Sequence, residues 1–244
     1  MATTAQTYLA GQGHGPAGPS QHGGANDPHQ GDPDESQGGD SGGAHEGEGL
    51  PEGTAPIDET YYHCSGPASA FEQEFDPHVC SYDDLFEHFL PTIVQANSAH
   101  GDGEEAANMI HEAIQTVSAA TGVEDVVLLC MIMQESTGNC FVPTTIDADG
   151  QPTGGLLQCS GAAGVDTQGG ELTQDIVEHM ISVGAQHLKS NLDQAQGNVY
   201  EALRLYNSGS VAADGDLSSP NSVGTPSYVN DMANRFHGWI SGGN

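Results

Sequence analysis

VEDVVLLCMIMQES, residues 123–136, decides how the rest of the chain is read. From Val126 to Met133 every residue is apolar, so a helix here has no polar face. A helix that is apolar all round belongs inside a core, with other elements packed about it. The run then ends on Gln134, Glu135 and Ser136 and breaks at Thr137-Gly138. A carboxylate at the C-terminal end of a buried helix faces the negative end of the helix dipole and stands beside apolar walls. Both effects favour its neutral form and raise its pKa. A carboxylic acid still protonated near working pH can give a proton to a glycosidic oxygen. The competing reading of Glu135 is a helix-end carboxylate that points into water.

Helical spacing extends on both sides of this run. DDLFEHFLPTIVQAN, residues 83–97, carries Leu85, Phe86, Phe89 and Leu90 and predicts a short helix stopped before Pro91. GEEAANMIHEAIQTVSAATG, residues 103–122, predicts an amphipathic helix with Glu104 and Glu105 in its first turn and Gly122 as its stop. Its stripe is Ala106, Met109, Ile110, Ala113, Ile114 and Val117. Beyond a Gly-rich stretch, Leu172, Ile176, Met180, Val183 and Leu188 suggest another stripe, and Val199, Ala202, Leu203 and Tyr206 a further one. The last, over residues 227–240, uses Val229, Met232, Ala233, Phe236 and Trp239. Residues 144–155, TTIDADGQPTGG, have room for a short hairpin. The expected fold is mainly α, one domain around a buried central helix.

Residues 1–58 read differently. They are dominated by Gly, His, Pro, Ser, Gln, Asp and Glu, too little apolar surface to offset chain entropy, and are expected to form a disordered tail ahead of a domain spanning 59–244. His14, His22, His29 and His45 offer loose metal ligation, though a solvated low-complexity tail accounts for them as well. The whole chain has 244 residues, with 34 acidic against 3 Lys+Arg and a formal charge of -31. Such a polyanion lacks the basic stripe a nucleic-acid partner needs, and binding to anionic membranes is disfavoured for the same reason. No apolar run approaches the ~20 residues of a membrane span. The start of the sequence lacks the basic and apolar regions of a secretory signal. The five cysteines nevertheless lean toward an extracellular setting, with Cys64–Cys80 and Cys140–Cys159 as expected bridges and Cys130 as a buried thiol. No CxxC zinc pattern occurs, and neither a metal nor a cofactor is expected.

Four motifs follow one another in order: Glu135-Ser136-Thr137-Gly138, then Gly155-Leu156-Leu157-Gln158, then Leu205-Tyr206-Asn207-Ser208-Gly209, then Tyr228 opening the last helix. The set resembles the soluble lytic transglycosylase (SLT) family and the related goose-type lysozymes of the lysozyme-like superfamily, in a version closest to fungal SLT-like proteins. The resemblance runs from about Asn97 to Trp239. It implies a lysozyme-like helical domain in which Glu135 is the single acid/base. It further implies that Ser136 and Gln158 line the cleft, that Asn207 holds substrate near Glu135, and that Tyr228 orients the acid or stacks on a sugar. Tyr206 is either a cleft residue or a core aromatic. The competing readings are a Gln158 that only braces its loop and a Tyr228 that is a core aromatic.

The implied activity is cleavage of the β-1,4 bond between N-acetylmuramic acid and N-acetylglucosamine in peptidoglycan, by a monomer acting on polysaccharide. Most glycosidases need a second carboxylate; Asp147 and Asp149 are the candidates, and otherwise read as turn residues. The family route does without one: the substrate's N-acetyl oxygen and 6-hydroxyl complete the reaction and leave a 1,6-anhydro sugar. IDADGQ, 146–151, lacks the ligand set of a calcium loop. Because so negative a chain would repel acidic peptidoglycan, the expectation is either an acidic optimum or an uncharged chitin-like polymer as substrate. The alternatives are a lysozyme- or chitinase-like hydrolase using water and an inactive carbohydrate-binding module.

Overall fold

The computed structural model describes residues 49–240, apart from 102, 147–149 and 166–170. Most of the expected tail, with its four histidines, and both Asp147 and Asp149 lie outside the described residues. Seven α-helices are found among the described residues: α1 (Ala68–Phe75), α2 (Tyr82–Asn97), α3 (Gly103–Thr121), α4 (Asp125–Ser136), α5 (Gln174–Gln194), α6 (Val199–Ser208) and α7 (Tyr228–Arg235). The protein is therefore mainly α.

Helix α4 lies at the centre. Val126 to Met133 are all buried, as an all-round apolar helix requires. Helices α2, α3 and α7 pack directly against it, while α5 covers α3 and α6 bridges α5 to α7. The hairpin at 144–155 gains a third strand: β1 (Thr145–Ile146), β2 (Pro152–Gly154) and β3 (Cys159–Ser160) pair antiparallel in that order, with Thr153 opposite both Thr145 and Ser160.

Three expectations about the helices need correction. Helix α2 does not stop before Pro91 but passes through it. Leu85, Phe89, Ile93 and Asn97 form one buried stripe on both sides of the proline, whereas Pro91 and Glu87, whose carbonyl the missing N–H would have bonded, are exposed. Water can satisfy that carbonyl, so the break is tolerated. On α5 the buried stripe is Val177, Met180, Ile181, Ala185 and Leu188, leaving Leu172, Ile176 and Val183 half-buried at its margin. Helix α7 ends at Arg235, so Trp239 lies beyond it, just after the turn at 236–238.

The packed chain also begins before residue 59. Leu50 N–H donates to Glu124 Oε1 (3.0 Å), Thr54 and Ala55 both donate to the Val79 carbonyl (3.0 Å), and Asp58 N–H donates to the His237 carbonyl (2.7 Å). Leu50, Ala55 and Ile57 rest against the core. Cys64, Cys80, Cys130, Cys140 and Cys159 stand as free thiols, and the expected Cys64–Cys80 and Cys140–Cys159 bridges are not formed. Cys64 lies on a segment fastened to α7, whereas Cys80 is buried with its N–H bonded to the Phe236 carbonyl. Among the described residues no helix is long and apolar enough to cross a membrane.

Candidate active site around Glu135

Helix α4 carries Glu135 to its last turn and stops immediately afterward. Thr137 takes the left-handed conformation (φ 56°), and Gly138 follows with φ 73°. Gly138 is required here for a second reason, since a Cβ at this position would lie 2.7 Å from the Ile93 side chain of α2. The buried Asn97, at the end of α2, fixes the same turn. Its Nδ2 donates to the Ile93 and Gly138 carbonyls (2.8 Å each), and its Oδ1 accepts from Cys140 N–H (2.9 Å). Asn97 was not singled out from sequence; a polar residue continuing the Leu85–Phe89–Ile93 stripe is the signal that could have found it.

Glu135 is half-buried. Tyr228, the first residue of α7, donates its hydroxyl to Glu135 Oε1 at 2.6 Å, across 93 positions of sequence. Loss of hydration raises the Glu135 pKa from 4.5 to about 7, opposed in part by the Tyr228 hydrogen bond and by the positive charge of Arg235. No carboxylate among the described residues contributes to that shift. Burial and the facing carboxyl push the Tyr228 phenol well above its ordinary range, so it stays a donor. The pair is thus a carboxyl poised between protonated and ionised forms, with a neutral hydroxyl aimed at one of its oxygens.

The other expected site residues are placed as follows. The Gly155–Gln158 turn packs on α5: a Cβ on Gly155 would meet Met180 at 2.8 Å, and one on Gly184 would meet Leu157 at 2.5 Å. Gln158 adopts φ 44°, a left-handed conformation uncommon for a non-glycine residue, and its Nε2 donates to the Gly155 carbonyl at 2.7 Å. Such strained residues concentrate at functional sites and are held there by their surroundings. Part of that hold comes from Tyr206, which is buried and donates its hydroxyl to the Leu157 carbonyl at 2.8 Å. Tyr206 also packs its ring on His187 at 4.9 Å, and its position helps to keep the Tyr228 phenol neutral. Cys159 lies within electrostatic reach of Glu135 and 3.4 Å from His187 Nδ1, its thiol pushed up chiefly by burial.

Ser136 turns inward, its hydroxyl donating to the Ile132 carbonyl of its own helix at 3.0 Å. Asn207 braces a loop: its Oδ1 accepts from Thr225 N–H (3.0 Å) and from Arg204. Sequence reasoning also passed over both arginines. Arg204 is fully buried and donates to the Leu217 and Thr225 carbonyls (3.2 and 3.0 Å), so it organises the loop that leads into Tyr228. Arg235, 4% exposed, donates Nε to Gln134 Oε1 at 2.9 Å. Their scarcity was the available signal, because the two arginines of so acidic a chain both fall within the motif-bearing segments.

Two surface cavities, about 420 and 460 Å³, surround Glu124 and are not lined by any residue of this cluster. Glu124 precedes the first turn of α4 and lies about 16 Å along the helix axis from Glu135. Among the described residues no group of three or more His, Cys, Asp or Glu side chains is gathered to hold a metal ion. No family model matches the chain, and no curated protein matches it in sequence.

Proposed function

We propose that the protein is a lytic transglycosylase-like glycosidase with a lysozyme-like fold, cleaving the β-1,4 bond between N-acetylmuramic acid and N-acetylglucosamine in peptidoglycan. The single observation that carries this reading is the Glu135–Tyr228 pair: a carboxyl raised to about 7 and held at 2.6 Å by a phenol. Such an acid is half protonated near neutrality and can serve first as donor and then as acceptor. In the forward step Glu135 gives its proton to the glycosidic oxygen as the C1–O bond breaks. The N-acetyl oxygen of the substrate stabilises the cation developing at C1. The muramyl 6-hydroxyl then attacks C1, its proton passes to Glu135, and a 1,6-anhydro end is left.

The test is product analysis on purified peptidoglycan with wild type and Glu135→Gln. Anhydro ends from the wild type, and a rate lower by about a thousandfold or more in the variant with the fold retained, are expected. Reducing ends would instead mark a hydrolase that uses water. Equal activity in Glu135→Gln would remove Glu135 from the mechanism.

A further inference from the structure

Next to the acid lies a second constellation that the chemistry of Glu135 does not use. Residues 61–64 run along α7, fastened by two asparagines of that helix. Asn230 accepts from Cys64 N–H (2.8 Å) and donates to the Cys64 carbonyl (2.9 Å). Asn234 does the same for Tyr62 (2.6 and 2.8 Å). With the backbone of 62 and 64 fixed in this way, the alternating side chains Tyr61 and His63 share a side, and their rings meet at 4.8 Å.

Trp239 completes the group. It stands edge-to-face with Tyr61 at 4.7 Å, with the Arg235 guanidinium 5.1 Å from its ring centre. Its backbone N–H donates to the Asn234 carbonyl (3.1 Å), which fixes the turn that presents it. Tyr61 donates its hydroxyl to Asp231 Oδ1 (2.6 Å), and Asp231 Oδ2 accepts from Ser227 (3.0 Å). Tyr61 and Trp239 are half-buried, His63 exposed. Tyr61 and Trp239 are thus ordered aromatic rings that remain partly open to water.

The platform and the acid share one helix face. Tyr228, Asp231 and Arg235, spaced three and four residues apart, lie along one side of α7. Tyr228 reaches Glu135, Asp231 holds Tyr61, and Arg235 touches both Gln134 and Trp239. Along the axis the backbones of Tyr228 and Arg235 are about 10 Å apart.

We propose that Trp239, Tyr61 and His63 form a stacking platform for an N-acetylglucosamine unit of the polymer, displaced along α7 from the bond cleaved at Glu135. This rests on the glycosidase reading above. The C–H face of a pyranose suits the negative π face of an aromatic ring, and the Asp231 carboxylate at the rim can accept from sugar hydroxyls. The one cation of the group, Arg235, is buried, and the chain carries -31 overall, so a neutral sugar is favoured over a charged one.

Trp239 is the only tryptophan in the chain, and its emission therefore reports this position alone. The experiment titrates the inactive Glu135→Gln protein with tetra-N-acetylchitotetraose, following indole emission and, in parallel, heat of binding. Saturable change in emission at the calorimetric midpoint, with binding about tenfold weaker in Trp239→Ala, is expected. Trp239→Phe, which keeps a ring, should recover much of the loss. If the tetrasaccharide binds or peptidoglycan is cleaved while the indole stays silent and Trp239→Ala behaves as its parent, the platform is overturned and the glycosidase stands. If the wild type neither binds the tetrasaccharide nor cleaves peptidoglycan, both fall together.

Discussion

At Glu135 two influences oppose each other, and their balance can be read from pH. Burial favours the neutral carboxyl, whereas the Tyr228 hydroxyl and the Arg235 charge favour the anion. Because the acid must be protonated to begin the reaction, activity is expected to fall as pH rises through about 7. In Tyr228→Phe the anion loses a hydrogen bond, so the alkaline limb should move upward by about one pH unit while the rate drops. A limb that stays in place would mean that Tyr228 does not act on the acid. Stability carries the same signature. A carboxyl raised from 4.5 to about 7 costs the folded state nothing below pH 4.5; its penalty grows between those values and levels off above 7, at roughly 3 kcal/mol. Glu135→Gln cannot ionise and escapes that penalty. Relative to wild type it should therefore gain stability between pH 4.5 and 8 by as much as roughly 3 kcal/mol, measured as urea midpoints across pH. A pH-independent difference would show that Glu135 ionises freely in the folded protein.

The elements differ in how much of them was legible beforehand, and the reason is physical in each case. Helix α4 was plain from eight consecutive apolar residues, and α3 from its stripe and its Gly122 stop, because burial alone decides both. Helix α1 went unread: it has eight residues, buries only Phe71 and Phe75, and has no side-chain cap. Nothing in so short a segment sets up a period. At Pro91 local chemistry argued for an end and tertiary burial overrode it. The override has a measurable cost. Replacing Pro91 by Ala restores the N–H that can reach the Glu87 carbonyl and removes the ring clash, against a loss of stiffness in the unfolded chain. A net stabilisation of about 1–2 kcal/mol is expected in denaturant titration, and destabilisation would show that the proline is needed where it stands. For the candidate site, the order of motifs singled out Glu135 and Tyr228, which the fold brings into hydrogen-bond contact, and Ser136 and Asn207, whose hydroxyl and amide oxygen bond to the backbone. A single sequence names the residues of a turn without saying which of their atoms the turn itself consumes.

At the scale of the whole molecule the charge is more one-sided than composition suggests. Arg204 and Arg235 are buried, and among the described residues this leaves Lys189, paired with Asp193 at 3.1 Å, as the one Lys or Arg on the surface. Such a surface repels itself, so segments that stay attached must do so through local contacts. The strap from Leu50 to Asp58 shows how. Its sequence, LPEGTAPID, has no apolar period and looks like a continuation of the acidic front, because what holds it is mainly backbone. Four of its N–H groups bond to Glu124 and to the Val79 and His237 carbonyls. Gly53 approaches the Cys80 carbonyl so closely that a Cβ would lie 2.0 Å from it. A chain beginning at Gly49 and one beginning at Glu59 differ by Gly49 and the nine residues of the strap alone. Losing the hydrogen bonds and the burial of Leu50, Ala55 and Ile57 should lower stability by about 3–5 kcal/mol in the shorter chain. It should also reduce the denaturant slope, since less surface is exposed on unfolding. Matching midpoints and slopes for the two chains would mean that the strap lies on the domain without stabilising it, and that the composition boundary at residue 58 was the physical one.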